Sequence, residues 1–287
     1  MNKLSFSIAF VLLHTTLTLA QSSAVYSGER FKSQVAAIAA GANTSERASA
    51  ITKRLDELGI KHRLQSFSDK DKRGVNIIAE LPGAGAKKLA LGAHYDRVAE
   101  GRGAIDNASG CAAVLELLAA MKTKPLKNHT VTAIFFDLEE IGGVGSKAHV
   151  ESDQGKNLPN IYINFDVFGY GDTLWVMSSK TDSPSAKAMT QAAAESKFDL
   201  EIGPDYPPGD HLSFIKAKVE TISISLIGRD EIKSILKVFK GDRAEKLPRI
   251  LTIIHSAGDT PDKVDGDAVV RALPVVEQAI RYMDTSR

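Results

Sequence analysis

The feature that most limits what this chain can fold into is the run Leu89 to Ala93, which stops abruptly at His94-Tyr95-Asp96 and is followed by Asp106-Asn107. Five apolar positions with no polar interruption describe a buried strand. A buried strand that delivers a His and two carboxylates into a loop is also how a metal site is built. His94 offers one imidazole nitrogen, and Asp96 can accept a hydrogen bond from the other, fixing tautomer and ring direction. Asp106 can use its two oxygens to bridge two cations. A lone His-x-Asp is equally an ordinary surface hydrogen bond, so its meaning depends on the acids and histidines further along the chain.

With 287 residues, 43% hydrophobic and 25% charged, the chain can close a large core as one α/β domain. Lys3, the apolar stretch Leu4 to Leu13, and Thr18-Leu19-Ala20 before Gln21 have the three parts of a secretory signal. Residues 1–20 are therefore set apart, and 21–287 are expected to form a single domain that is secreted or periplasmic. No other segment approaches the ~20 apolar residues of a membrane span, so stable membrane insertion is not expected. Lys3 is the one charge in the leader, and without it basic and acidic residues balance. With no basic stripe, nucleic acid is not an expected partner. Cys111, the single cysteine, cannot form an internal disulfide and sits in an apolar helix, where a thiol is a small buried hydrophobe.

In chain order, Ser22 to Leu58 reads as one or two packing helices broken near Gly41-Ala42-Asn43. Lys61 to Phe67 and Val75 to Leu81 read as strands around a charged, solvated turn. After the strand Leu89 to Ala93 come the helix Cys111 to Met121 and the strands Val131 to Phe136 and Ile161 to Phe165. Then come a short strand Leu174 to Met177, a helix Ser183 to Lys197, strands Val219 to Ile227 and Ile250 to Ile254, and a final helix Val264 to Met283. Alternating strands and helices indicate one three-layer α/β unit. His94, Glu139-Glu140, Asp166 and His255 each fall just past a strand end, where open α/β sheets place ligands.

Taken together, His94, Asp106, Glu140, Asp166 and His255 are two imidazoles and three carboxylates, a donor set suited to zinc. Five protein ligands are too many for one catalytic zinc with an open position. Shared through Asp106 they divide into three apiece, the two-metal arrangement of hydrolytic enzymes. Glu139 is left over as a base.

The segments GAHYD, AIDNASG, FFDLEEIGGVGS, NFDVFG and HSAGDTPD resemble, in order and spacing, the co-catalytic zinc aminopeptidases of peptidase family M28. The resemblance covers roughly Leu89 to Lys263 and implies a zinc exopeptidase-like α/β/α fold, with a central mixed, mostly parallel sheet between helices, acting on a peptide substrate. It implies two zinc ions: His94 and Asp166 on one, Glu140 and His255 on the other, and Asp106 between them. It further implies Glu139 as general base, Asp96 orienting His94, and a cis peptide between Asp106 and Asn107. Asp210-His211 matches a family Ser-Asp-His position with Gly for Ser, and is read as a helix start lining the pocket, with His211 not a ligand. His62, His129 and His149 lie in polar contexts and are expected to be exposed. Asn43, Asn107 and Asn128 fit a glycosylation pattern that is taken as incidental.

Three functions fit. The first is an exported aminopeptidase; the second a glutaminyl cyclase of the same fold using one zinc; the third a non-catalytic binding ectodomain. The intact ligand set and Asp106-Asn107-Ala108-Ser109 favour the first. The sequence leaves the preferred N-terminal residue and the oligomeric state open.

Overall fold

The computed structural model describes residues 26–286 apart from 84, 153–156 and 244, so the leader read at residues 1–20 lies outside the described residues. Its frame is one eight-stranded sheet in the order β1-β2-β4-β3-β5-β8-β6-β7. The strands are β1 (His62–Asp69), β2 (Lys72–Leu81), β3 (Lys87–His94), β4 (His129–Phe136), β5 (Ile161–Phe165), β6 (Thr173–Ser178), β7 (Asp199–Gly203) and β8 (Glu220–Ile227). β4, β3, β5 and β8 run parallel at the centre, while β1, β2 and β6 each pair antiparallel with a neighbour.

The period of two along each central strand separates two cores. Leu89, Leu91 and Ala93 of β3 join Ala133 and Phe135 of β4 and Ile163 and Phe165 of β5 in one cluster. Ala90, Ile134, Phe136 and Tyr162 belong to a second, smaller cluster with Phe214. Helices cover both, which gives the three layers. On the larger side lie α1 (Gly28–Ala39), α2 (Thr44–Glu57), α3 (Ser109–Thr123) and the last helix, Gly266–Thr285. The smaller side is covered by α4 (Val144–Ser152) and the short helix His211–Lys216, which contributes Phe214.

Asn43 breaks the first two helices apart: its side chain accepts the Glu46 N–H at 3.0 Å and caps α2. Contrary to the expectation that no segment beyond the leader approaches a membrane span, Ala104–Thr123, which includes α3, is long and apolar enough by length and composition, yet 94% of its 18-residue apolar window is buried inside the protein. Cys111 is one of its buried residues. Val269, Leu273, Val276 and Ile280 line the buried face of the last helix, each worth about 1.5–3 kcal/mol of burial.

Three expectations change. Ile250 to Ile254 is not a strand; residues Arg249–Ile253 form a short helix after Pro248, and the Ile250 N–H donates to Glu231 at 2.7 Å. His255 therefore leaves a helix, not a strand end. His129 and His149 are buried, not exposed. His129 Nδ1 lies 2.9 Å from Asp284, whose carboxylate also accepts three backbone N–H groups at Lys127, Asn128 and His129, so the pair ties the last helix to the start of β4. His149 Nδ1 lies 2.9 Å from Gln65 and its ring meets Phe136 edge-on. His62 is half-buried.

Candidate metal centre and pocket

β3 is the point from which the chain departs to β4 on one side and later returns to β5 on the other, and in such sheets ligands sit in the crevice beyond the strand ends. The register puts His94 beside Phe136. The loops that leave β3, β4 and β5 thus bring His94, Glu139, Glu140 and Asp166 to one place.

Asp106 arrives on a separate loop that is held from several directions. The buried Asp259 carboxylate accepts the backbone N–H groups of Ala104, Ile105 and Asp106 at 3.0, 2.6 and 3.1 Å. Arg47, fully buried, donates to the carbonyls of Tyr95, Arg102 and Gly103 at 2.5, 2.8 and 3.0 Å. The Asn107 side chain donates to the Phe165 carbonyl at 2.8 Å and accepts the N–H groups of Gly110 and Val167. The peptide between Asp106 and Asn107 is cis. Asn107 is wholly buried, which leaves no room for a glycan there.

The result is a symmetric arrangement about Asp106. Its Oδ1 lies 3.2 Å from His94 Nε2, which is also 3.6 Å from Asp166. Its Oδ2 lies 3.0 Å from His255 Nε2, which is also 3.1 Å from Glu140. His94, Asp106 and Glu140 alone offer ligand atoms all within 4.8 Å of one another. Among the described residues no Lys or Arg pairs with Asp106, Glu139, Glu140 or Asp166. Glu140 Oε1 is buried without a hydrogen-bond partner. Carboxylates gathered without a basic side chain, and with an orphaned oxygen among them, are the chemistry of a cation site. Imidazole and carboxylate together fit zinc.

The electrostatics express the same crowding. Burial opposes charge on His94, yet Glu139, Asp106, Asp166 and Asp96 hold its pKa well above the ordinary imidazole value. Hydrogen bonds to Asp106 and Glu140 push His255 up to about 10. Burial disfavours charge on Asp106, but the two imidazoles overcome it and hold the carboxyl below the usual range. Glu139 goes the other way, pushed up to about 9, chiefly by burial with Asp210, Asp166 and Asp106 adding and His94 opposing.

Asp96 is placed differently from expectation in one respect. Its Oδ1 lies 3.4 Å from His94 Nδ1 without a formed hydrogen bond, while its two oxygens accept the backbone N–H groups of Glu139 and Glu140 at 3.0 and 3.2 Å. It holds the acidic loop as well as facing the imidazole. Asp210 and His211 stand behind the pocket wall, not on it, both almost wholly buried, with Gly209, Leu212 and Ser213 forming the lining. His211 rests edge-on against Tyr206, and burial pushes it down to about 4.

The pocket is a cavity of about 430 Å³ that contains His94, Asp106, Glu139, Glu140, Asp166 and His255 at one end. Trp175, Tyr206, Ile227, Ile235, Phe239 and Ile254 make its other wall apolar.

A family model described as peptidase family M28 matches residues 76–280, taking in every one of these polar residues. The chain belongs to peptidase family M28. Over 120 residues it is 35% identical to leupeptin-inactivating enzyme 1 of Streptomyces exfoliatus, a match that spans 40% of this chain and 27% of that protein. The matched segments cover less than half the length of the first curated relatives. The fold is shared with the LapA aminopeptidase of Legionella pneumophila, at 16% identity and a TM-score of 0.72 over 100% of this chain and 81% of that one. It is shared also with a glutaminyl cyclase of Porphyromonas gingivalis, at 19% identity and a TM-score of 0.70 over 91% of this chain and 98% of that one.

Two residues that shape this M28 site show no role in the sequence. Arg47 lies on the buried stripe of α2 with Ile51 and Leu55, so its signal is a charge at an i, i+4, i+8 apolar position. Asp259 stands four residues after His255 inside HSAGDTPD. Nothing in its local sequence shows that its partners lie about 155 residues earlier.

Proposed function

We propose that this chain is an exported zinc aminopeptidase that removes N-terminal residues from peptides, with two metal positions sharing Asp106. The observation that carries the reading is that each Asp106 oxygen faces a different imidazole, with Asp166 beside one and Glu140 beside the other. In this assignment His94, Asp106 and Asp166 hold one zinc, and His255, Asp106 and Glu140 the second. When bound, zinc polarises a carbonyl oxygen and makes water nucleophilic at neutral pH. Glu139 is the remaining carboxylate on the pocket, 3.9 Å from His94 Nε2. It takes a proton from the attacking water and returns it to the leaving amine as the amide C–N bond breaks. The apolar wall takes an apolar first side chain. Export after removal of residues 1–20 belongs to the same reading, supported by the apolar stretch Leu4 to Leu13.

Zinc-loaded protein incubated with a panel of free and N-acetylated peptides should release first residues only from the free ones, with apolar residues released fastest, and a chelator should stop the reaction. Cleavage of blocked peptides would refute the exopeptidase reading. Ammonia released from N-terminal Gln peptides, with one zinc per chain, would establish a cyclase instead.

Asp96→Asn should cost about 10–100-fold in zinc affinity or turnover, the usual effect of a group that orients ligands. The physical cause is specific: Asn keeps one acceptor oxygen where the Glu139 and Glu140 N–H groups need two. Chelator competition and steady-state rates check it, and wild-type values in both would remove Asp96 from the site.

A further inference from the structure

The acid-rich pocket does not end at Glu140. A second hollow of about 400 Å³ adjoins it and shares Gly142, Gly143, Leu212 and Ser213 with the first. Both glycines have positive φ, +105° at Gly142 and +64° at Gly143, and a Cβ at Gly142 would meet nothing within 4 Å. The two hollows therefore share a rim of bare backbone at Gly142-Gly143.

The charged side chains of the lining differ on the two sides of that rim. On the near side stand Asp106, Glu139, Glu140 and Asp166 with no Lys or Arg in the lining. On the far side the lining carries Lys147 from α4 and Lys216 from the helix His211–Lys216, against one acid, Glu151. Lys147 lies 3.9 Å from Asp69, a loose pair between two exposed side chains. Lys216 has no acid within salt-bridge distance among the described residues. A basic hollow beside the metal-holding end is complementary to a carboxylate carried further along a bound peptide.

We infer that the hollow beyond Gly142-Gly143 is a subsite for a carboxylate carried downstream of the scissile bond, with Lys147 and Lys216 as its recognition groups. The inference rests on the peptidase reading, since it needs a first residue seated at the acid-rich end. The carboxylate has two sources, the terminal carboxyl of a di- or tripeptide and an acidic side chain in a longer one. Both present the same chemistry to an ammonium. Because the lysines are exposed, the effect is modest and sensitive to salt.

The experiment compares kcat/KM for Leu-Ala-Ala with its C-terminal amide, and for Leu-Glu-Ala amide with Leu-Gln-Ala amide, at low and at 0.5 M salt. The acid of at least one pair should be preferred by about fivefold at low salt, through KM. The first pair reports the terminal carboxyl and the second the side chain. High salt should shrink the preference, and Lys147→Ala/Lys216→Ala should bring the ratio of acid to amide close to one. A wild-type ratio of one in both pairs, or a ratio that survives the double substitution, overturns the subsite. Leu-p-nitroanilide, which carries no downstream carboxylate, reports separately on the peptidase reading: if the wild type fails to hydrolyse it and every peptide, that reading fails instead.

Discussion

Glu139→Gln should keep its zinc and its substrate affinity while kcat falls by about 10²- to 10⁴-fold, the usual contribution of a positioned general base. The substitution preserves shape and removes basicity. The neighbouring Glu140→Gln should do the opposite and lose zinc from one position, because its Oε2 faces His255 at 3.1 Å while Glu139 stands nearer His94. Metal analysis beside single-turnover rates separates the two. The reverse pattern in these adjacent residues would mean that the proposed roles are displaced by one along the loop. The backbone helps keep the two acids distinct: Leu138, just before them, has φ +59°, a conformation non-glycine residues seldom adopt, and Asp96 fixes both succeeding N–H groups. The loop is thus set before any ligand arrives.

Asp106→Ala should release most of the bound metal and take activity to background, since each of the two proposed positions loses one of its three ligands at once. The change should leave the fold standing. Asp259 accepts backbone N–H groups at Ala104, Ile105 and Asp106, and Asn107 keeps its own bonds to Phe165, Gly110 and Val167. Metal content by elemental analysis and thermal unfolding after chelation distinguish loss of ligand from loss of structure. Full metal content in this variant would contradict the shared position of Asp106.

The central sheet was legible because β3, β4 and β5 are apolar on both faces, a pattern that local sequence carries by itself. The helix Arg249–Ile253 was not, because a five-residue apolar run rich in β-branched residues looks the same in either state. What decides it is Pro248 and the acceptor at Glu231. His129 and His149 misled for another reason: their polar neighbours suggest solvent, whereas the partners that permit burial are Asp284 and Gln65, far away in the chain. The amphipathic helix Ile232–Phe239, with Ile232, Ile235, Leu236 and Phe239 on one face, carries a full helical period that a reading centred on motifs passes over. The edge strand Asp199–Gly203, short and half-exposed, carries almost none. Of the candidate site, the five ligand-type residues and Glu139 announce themselves by type and spacing. The groups that hold them, Arg47 and Asp259, act on backbone carbonyl and N–H groups far away in the chain, which local sequence does not show even though Asp259 stands inside HSAGDTPD.

Asp259 also sets when the chain can become competent. The loop that it braces lies about 155 residues upstream, so on a ribosome Ala104, Ile105 and Asp106 emerge long before the carboxylate that will receive their N–H groups. His255, four residues before Asp259, appears at the same late moment. A nascent chain that already contains β3, β4 and β5 still has neither the second imidazole nor the brace. Synthesis therefore imposes its own order: His255 and Asp259 must both be made before the arrangement around Asp106 can form.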